Sequence, residues 1–189
     1  RINLEMIHDF RISQGVGVVA KLDPATYNDT IRFARLGNGS LGGKARGLAF
    51  LNHILVKYDM YDKYEDVRVT TPRTLVITTE YFDRFIIDNG LQYVINSDIS
   101  DDEILAEFVA STLPRDLIDN LKVFIHNIRK PLAVRSSSKL EDSYYQPFAG
   151  VYSTYMIPRT DNEDQQLRLL SKAIKSVYAS IFYASSRSY

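Results

Sequence analysis

Pro131-Leu-Ala-Val-Arg-Ser-Ser-Ser138, followed by Glu141-Asp142 and then by Phe148-Ala-Gly-Val-Tyr-Ser-Thr-Tyr155, is the stretch on which the reading of this chain turns. Leu132 to Arg135 reads as a short apolar strand that delivers one arginine at its end into a cluster of hydroxyls. Gly150 to Ile157, rich in β-branched and aromatic residues, reads as a second strand. The two are expected to pair antiparallel across a polar loop that carries Lys139, Glu141, Asp142 and Gln146. A planar, permanently charged guanidinium, hydroxyl donors and a glycine that lets backbone approach closely are the parts that hold a polyphosphate.

Upstream, Gly37-Asn-Gly-Ser-Leu-Gly-Gly-Lys-Ala-Arg-Gly47 supplies a second phosphate-friendly segment. From Lys44 to Tyr58 the apolar positions Leu48, Leu51, Leu55 and Tyr58 recur at helical spacing. Lys44 therefore stands where a glycine turn becomes a helix, and unpaired amides with the helix dipole favour an anion there. The run is not a P-loop, which needs glycine at 38 and serine or threonine at 45, where Asn38 and Ala45 stand. Gly37-Asn-Gly-Ser-Leu-Gly42 has dinucleotide-loop spacing, but no convincing strand precedes it in the sequence. The plain alternative is a glycine turn with a solvated lysine, although a cation in the first helical turn opposes the dipole unless an anion is near. Arg46 reads as a surface or ion-pairing residue. For Arg135, leaving an apolar strand, the alternatives are a carboxylate such as Glu141 or Asp142, or an anionic ligand. Ser136, Ser137 and Ser138 either donate to that ligand or satisfy a turn.

The remaining pattern alternates strands and helices. Gln14 to Ala20 could form a short strand, and Leu75-Val-Ile77 reads as a buried strand opened by Pro72. Thr79 then caps a helix with Phe82, Phe85 and Ile86 on one face. Ser100-Asp-Asp-Glu103 has capping-box spacing ahead of Ile104, Leu105 and Phe108. Pro114 suits the first turn of a helix whose face is Leu117, Leu121, Phe124, Ile125 and Ile128. Leu167, Leu170, Ile174, Val177 and Ile181 mark a long amphipathic helix. The expected class is α+β (mixed α/β), a small, mostly antiparallel sheet with packed helices. Residues 1–35 read as a connecting segment from an upstream region, and residues 36–189 as the folded unit.

Gly42-Gly-Lys-Ala-Arg-Gly-Leu48, Thr71-Pro-Arg-Thr-Leu-Val-Ile-Thr-Thr-Glu-Tyr81, Ala133-Val-Arg-Ser-Ser137 with Glu141-Asp142, and Phe148-Ala-Gly150 with Thr154-Tyr155 occur in one order. In that order they resemble the N-terminal ATP-binding region of the phosphoenolpyruvate synthase and pyruvate phosphate dikinase family, an ATP-grasp relative. The resemblance runs from about Arg35 to Tyr189. It implies an ATP-grasp-like N-terminal nucleotide-binding lobe whose Lys44, Arg135, Ser136, Ser137 and Gly150 surround the ATP phosphates. It further implies that a second lobe, holding the Mg²⁺ ligands, lies outside this chain, so no catalytic or metal-binding residue is assigned here. The chain departs from the family at Val151, where glutamine is common, and at Tyr152 and Ser153. By resemblance the whole protein would move a phosphoryl group from ATP to a histidine on another domain and from there to pyruvate. A related enzyme with another acceptor, such as an antibiotic or a glucan, or a non-catalytic regulatory module, would use the same lobe.

Composition agrees with a soluble, cytoplasmic protein. Of 189 residues, lysine plus arginine and aspartate plus glutamate each number 23, so no net field recruits nucleic acid or membrane. Cysteine is absent, which excludes disulfides, thiol catalysis and cysteine metal sites. No apolar run is long enough to span a bilayer and no signal peptide is visible. The first residue is not methionine and the last residues interrupt a helical pattern, so the chain reads as a piece of a larger protein. Glu141 and Asp142, adjacent on an extended segment, would point opposite ways and do not make a metal pair. His8, His53 and His126 are isolated; His53 and His126 are expected on exposed helix flanks. The thirteen tyrosines and nine phenylalanines read as core and not as a base-stacking platform.

Overall fold

A computed structural model of the chain describes residues 19–27, 31–137 and 153–187. Its first layer is a three-stranded sheet of β1 (Ala20–Lys21), β2 (Phe33–Leu36) and β3 (Thr74–Ile77), in that order and parallel throughout. Parallel neighbours need a crossover, and helix α1 (Gly43–Lys57) supplies it between β2 and β3. Side chains alternate across the strands. Phe33 and Val76 meet Ala45 of α1, with Leu41, Leu48 and Ala49 at the margin. Ala34, Leu36, Leu75 and Ile77 point the other way, into the main core.

That core is helical. It is built by α2 (Thr79–Asp88), a short 3-10 turn (Leu91–Asn96), α3 (Asp101–Ala110), α4 (Arg115–Asn127) and α5 (Glu163–Ser180). A four-residue turn of helix, α6 (Ala184–Arg187), follows α5. Phe85, Ile104, Phe108, Leu117, Leu121 and Ile125 are fully enclosed there. A second sheet, β4 (Leu132–Arg135) and β5 (Thr154–Ile157), is antiparallel and lies against α5. Its register pairs Ala133 with Met156 and Arg135 with Thr154.

Several sequence expectations hold. The Ser100–Glu103 capping box is complete, with Glu103 N–H donating to the Ser100 hydroxyl at 3.3 Å and Ser100 N–H to the Glu103 carboxylate at 2.8 Å. The Ser100 hydroxyl, which donates to the Glu103 carboxylate at 2.7 Å, and after it the Ser100 N–H hold that carboxyl below its ordinary range. The predicted face of α4 is buried at all five positions, and in α5 Leu170, Ile174 and Val177 are buried. Lys175 of α5 donates from its ammonium to the carbonyls of Val109 and Ser111, closing the C-terminal end of α3.

Others are corrected. The mixed α/β class stands, but the mostly antiparallel sheet does not: among the described residues antiparallel pairing is confined to β4–β5, because α1 returns the chain to start β3 alongside β2. Leu51 and Tyr58, two of the apolar positions that recur at helical spacing, are exposed, at 52% and 59%, and Tyr58 lies just past the end of α1. That helix is apolar around much of its circumference, so spacing alone selects no face. His53 is not fully on the surface, since its Nδ1 is buried, whereas His126 is exposed and 3.1 Å from Glu163. Within the stretch read as a connection, Leu22 and Tyr27 are buried in the main core, and β1 and most of β2 are part of the sheet.

Candidate functional site

Both phosphate-friendly segments lie just past the carboxyl ends of strands. Leu36, the last residue of β2, is paired with Ile77, the last of β3. The Gly37–Gly42 loop leaves the first, and Thr78-Thr79-Glu80 leaves the second. Ligands of open α/β sheets gather in this position, outside the strand carboxyl ends. The glycine loop thus does follow a strand, contrary to the sequence reading. Arg35 interrupts the apolar pattern of β2, with Arg32 just before the strand, and together they hide it.

Strand and helix do not make the loop a dinucleotide cradle, because its amides are already engaged. Asn38 N–H donates to the Glu80 carboxylate at 2.6 Å, Gly39 N–H to the Thr78 hydroxyl at 3.3 Å, and Ser40 N–H to the Thr79 hydroxyl at 3.0 Å. Thr79 N–H returns a bond to the Ser40 carbonyl at 3.2 Å. The Arg35 guanidinium donates to the Gly37 carbonyl. Thr78, not Thr79, is the N-cap of α2, and its hydroxyl serves the loop instead of the helix.

The start of α1 is held in the same manner. Its N-cap is Gly42, which has no side chain to offer. Ser137 fills that role from beyond the end of β4. Gly43 N–H donates to the Ser137 carbonyl and Ala45 N–H to the Ser137 hydroxyl, each at 2.9 Å. Gly42 sits at φ 79° and ψ −177°, a region open to glycine almost alone. A Cβ there would lie 1.5 Å from the Ser137 carbonyl oxygen. Two of the amides read from sequence as open to an anion, those of Gly43 and Ala45, are therefore occupied by Ser137.

The structure brings Lys44 and the Arg135–Ser137 segment to one place. Lys44 is half-buried, between the two residues that Ser137 binds. Arg135 is on the exposed face of the β4–β5 ribbon, beside Thr154. So placed, Arg135 is solvated and needs no buried partner to neutralise it. No carboxylate among the described residues forms an ion pair with it. Ser136 is buried. Arg46 is exposed, with its guanidinium 3.4 Å from the Ser40 hydroxyl. Gly150, Ser138, Lys139, Glu141 and Asp142 lie outside the described residues. Among the described residues, no group of three histidines or carboxylates could hold a metal ion. Two cationic side chains beside hydroxyls suit a polyphosphate.

Thr78, Thr79 and Glu80 are the residues that sequence reasoning passed over. The available signal was two adjacent hydroxyls and a carboxylate directly after a buried strand, more acceptors than one helix start consumes.

Residues 38–189 match the family model described as pyruvate phosphate dikinase, AMP/ATP-binding domain. An uncharacterised phosphotransferase of Bacillus subtilis strain 168, YvkC, is 31% identical over 121 residues, 62% of this chain. The aligned part spans only 13% of that protein's length. No solved structure matches the chain. No helix among the described residues is long and apolar enough to cross a membrane.

Proposed function

Because the chain belongs to the pyruvate phosphate dikinase AMP/ATP-binding domain family, we propose that it is the N-terminal lobe of an ATP site in a phosphoenolpyruvate synthase-like phosphotransferase. Lys44 and Arg135 hold the ATP phosphates, with Ser136, Ser137 and Gly150 around them. The observation that carries this reading is the junction at Ser137. Two segments about ninety residues apart, each suited to phosphate on chemical grounds, are hydrogen-bonded to one another at the carboxyl edge of the sheet.

Phosphoryl transfer depends on alignment and charge neutralisation more than on covalent help from the protein. Two cations fixed on separate elements supply both. The acceptor is a phosphocarrier histidine on another domain, with pyruvate beyond it. Mg²⁺ ligands belong to a following lobe, and when bound the ion would neutralise charge on the phosphates. The YvkC likeness favours transferase chemistry over a purely regulatory module, since that protein is described as a phosphotransferase.

The test is a calorimetric titration of Mg·ATP into the chain and into Lys44→Ala and Arg135→Ala. Binding weakened about tenfold or more in each folded variant is the expected result, the loss of one charge-assisted contact. Variants that bind as tightly as the parent would overturn the assignment. The chain alone is expected to bind without steady ATP turnover, and sustained hydrolysis by pure protein would refute that part.

A further inference from the structure

We infer that Ser137 is a positioning residue, which sets the placement of Lys44 relative to Arg135 and so tunes affinity for a polyphosphate it need not touch. The inference rests on the ATP-site reading above.

Three features of the geometry carry it. Ser137 binds the residues on both sides of Lys44, through its carbonyl to Gly43 N–H and through its hydroxyl to Ala45 N–H. A helix start normally receives such bonds from its own N-cap side chain, and α1 lacks one because Gly42 is the cap. The space a cap side chain would need is filled by Ser137, whose carbonyl oxygen lies 1.5 Å from where a Gly42 Cβ would be. Ser137 is also only two residues beyond Arg135, the end of β4, a reach of at most about 7 Å. One residue therefore fastens the element carrying one cation to the element carrying the other. Because the bond donors are the first and third residues of α1, the fastening fixes the turn on which Lys44 stands.

Burial does little of this work. In α1 the buried residue is Ala45, and Phe50 and Leu51 are exposed. Without the Ser137 hydroxyl, Ala45 N–H loses its partner and the first turn is free to fray. Lys44 then samples positions from which it cannot meet the same phosphates as Arg135.

The experiment measures Mg·ATP affinity in the whole chain for Ser137→Ala, Ser137→Thr and Ser137→Val. Ser137→Ala is expected to bind about fivefold to tenfold more weakly, the usual loss for a missing cap. Ser137→Thr, which keeps the hydroxyl, should stay within about twofold of the parent. The Thr and Val variants share one shape, so their difference reads the hydroxyl alone even if Ser137→Ala fails to fold. A double-mutant cycle supplies the readout that a merely structural role would leave unchanged. In a Lys44→Ala background, Ser137→Ala should cost less than about twofold, because the residue it positions is gone. Equal affinity of the Thr and Val variants, or losses that multiply fully in the cycle, overturns the inference while leaving the site reading intact. If Lys44→Ala and Arg135→Ala bind normally, the site reading fails and takes the inference with it.

Discussion

Around Phe108, enclosed side chains arrive from α2, α3, α4 and α5, and Phe85 lies 5.7 Å away ring to ring. Around Val76, the buried cluster is Phe33, Ala45 and Val76, with small or half-exposed neighbours. The first region is held by area removed from water, which scales with the apolar surface buried. The second, which carries the candidate site, is held by directed bonds from Ser137, Thr78, Thr79 and Glu80 to loop and helix amides. A large core gives stability without fixing any one atom. Hydrogen bonds contribute little net energy but define position, which is what a phosphate site requires.

Large-to-small substitution breaks the comparison most forcefully. Phe108→Ala should destabilise the chain by about 3–5 kcal/mol, since it empties a fully enclosed ring site. Val76→Ala should cost about 2 kcal/mol, for two methyl groups at a thinner core. Urea unfolding measures both. At temperatures where each variant is folded, Mg·ATP affinity should be unchanged in Phe108→Ala and reduced in Val76→Ala, which loosens the seat of α1. The opposite ranking in affinity would show that the helical half, not the bonded half, shapes the site.

Gly42→Ala comes next. The backbone there costs a non-glycine residue about 1–3 kcal/mol, and the added Cβ collides with the Ser137 carbonyl. Relief requires α1 and the end of β4 to separate. The expected outcome is a moderate fall in Tm with loss of most Mg·ATP binding, a disproportion that Phe108→Ala should not show. Calorimetry and thermal melts on the same samples distinguish the two.

The same contrast governs what could be read from sequence. α3, α4 and α5 were legible because burial against one core imposes a helical period on residues such as Leu117, Leu121 and Ile125, and the Ser100 box marks a start. β2 was not, because Arg35 interrupts its three buried residues, Arg32 stands just before them, and both faces of its sheet are covered. The buried face of α1 is not legible from spacing, since Leu51 and Tyr58 continue the apolar period onto exposed surface. The family's motifs led to Lys44 and Arg135, and the chemistry of those segments agrees with a phosphate. What no local pattern could state is which acceptor serves which amide. The bonds from Thr78 and Thr79 span 39 residues and that from Ser137 spans 92, so they exist only after the chain has folded.

The smallest expected effect sharpens the comparison from the helical side, where a polar fastening also occurs but should not matter to the ligand. The Arg84 guanidinium of α2 grips Asp116 in the first turn of α4 with two bonds of 2.8 Å, and the Tyr81 hydroxyl donates to the same carboxylate at 3.0 Å. Arg84 above all holds the Asp116 carboxyl down to about 2, from 3.8. Burial, with Asp116 second, pushes the Tyr81 phenol up to about 12, from 10.0. A depressed carboxylate contributes stability above its unfolded value, and loses it as pH falls through the folded one. A raised phenol contributes below pH 10.0 and loses it on the way to about 12. Both partners of the ion pair are well exposed, at 39% and 49%, so its worth at neutral pH is no more than about 1 kcal/mol. Thermal melts of the parent and Arg84→Leu should therefore differ by a few degrees from pH 7 to about 4 and converge as pH approaches 2. Mg·ATP affinity should be the same in both at neutral pH. A gap that persists at pH 2 would mean that Arg84 acts through packing on Tyr81 instead of through charge, and a change in affinity would mean that the helical half reaches the site after all.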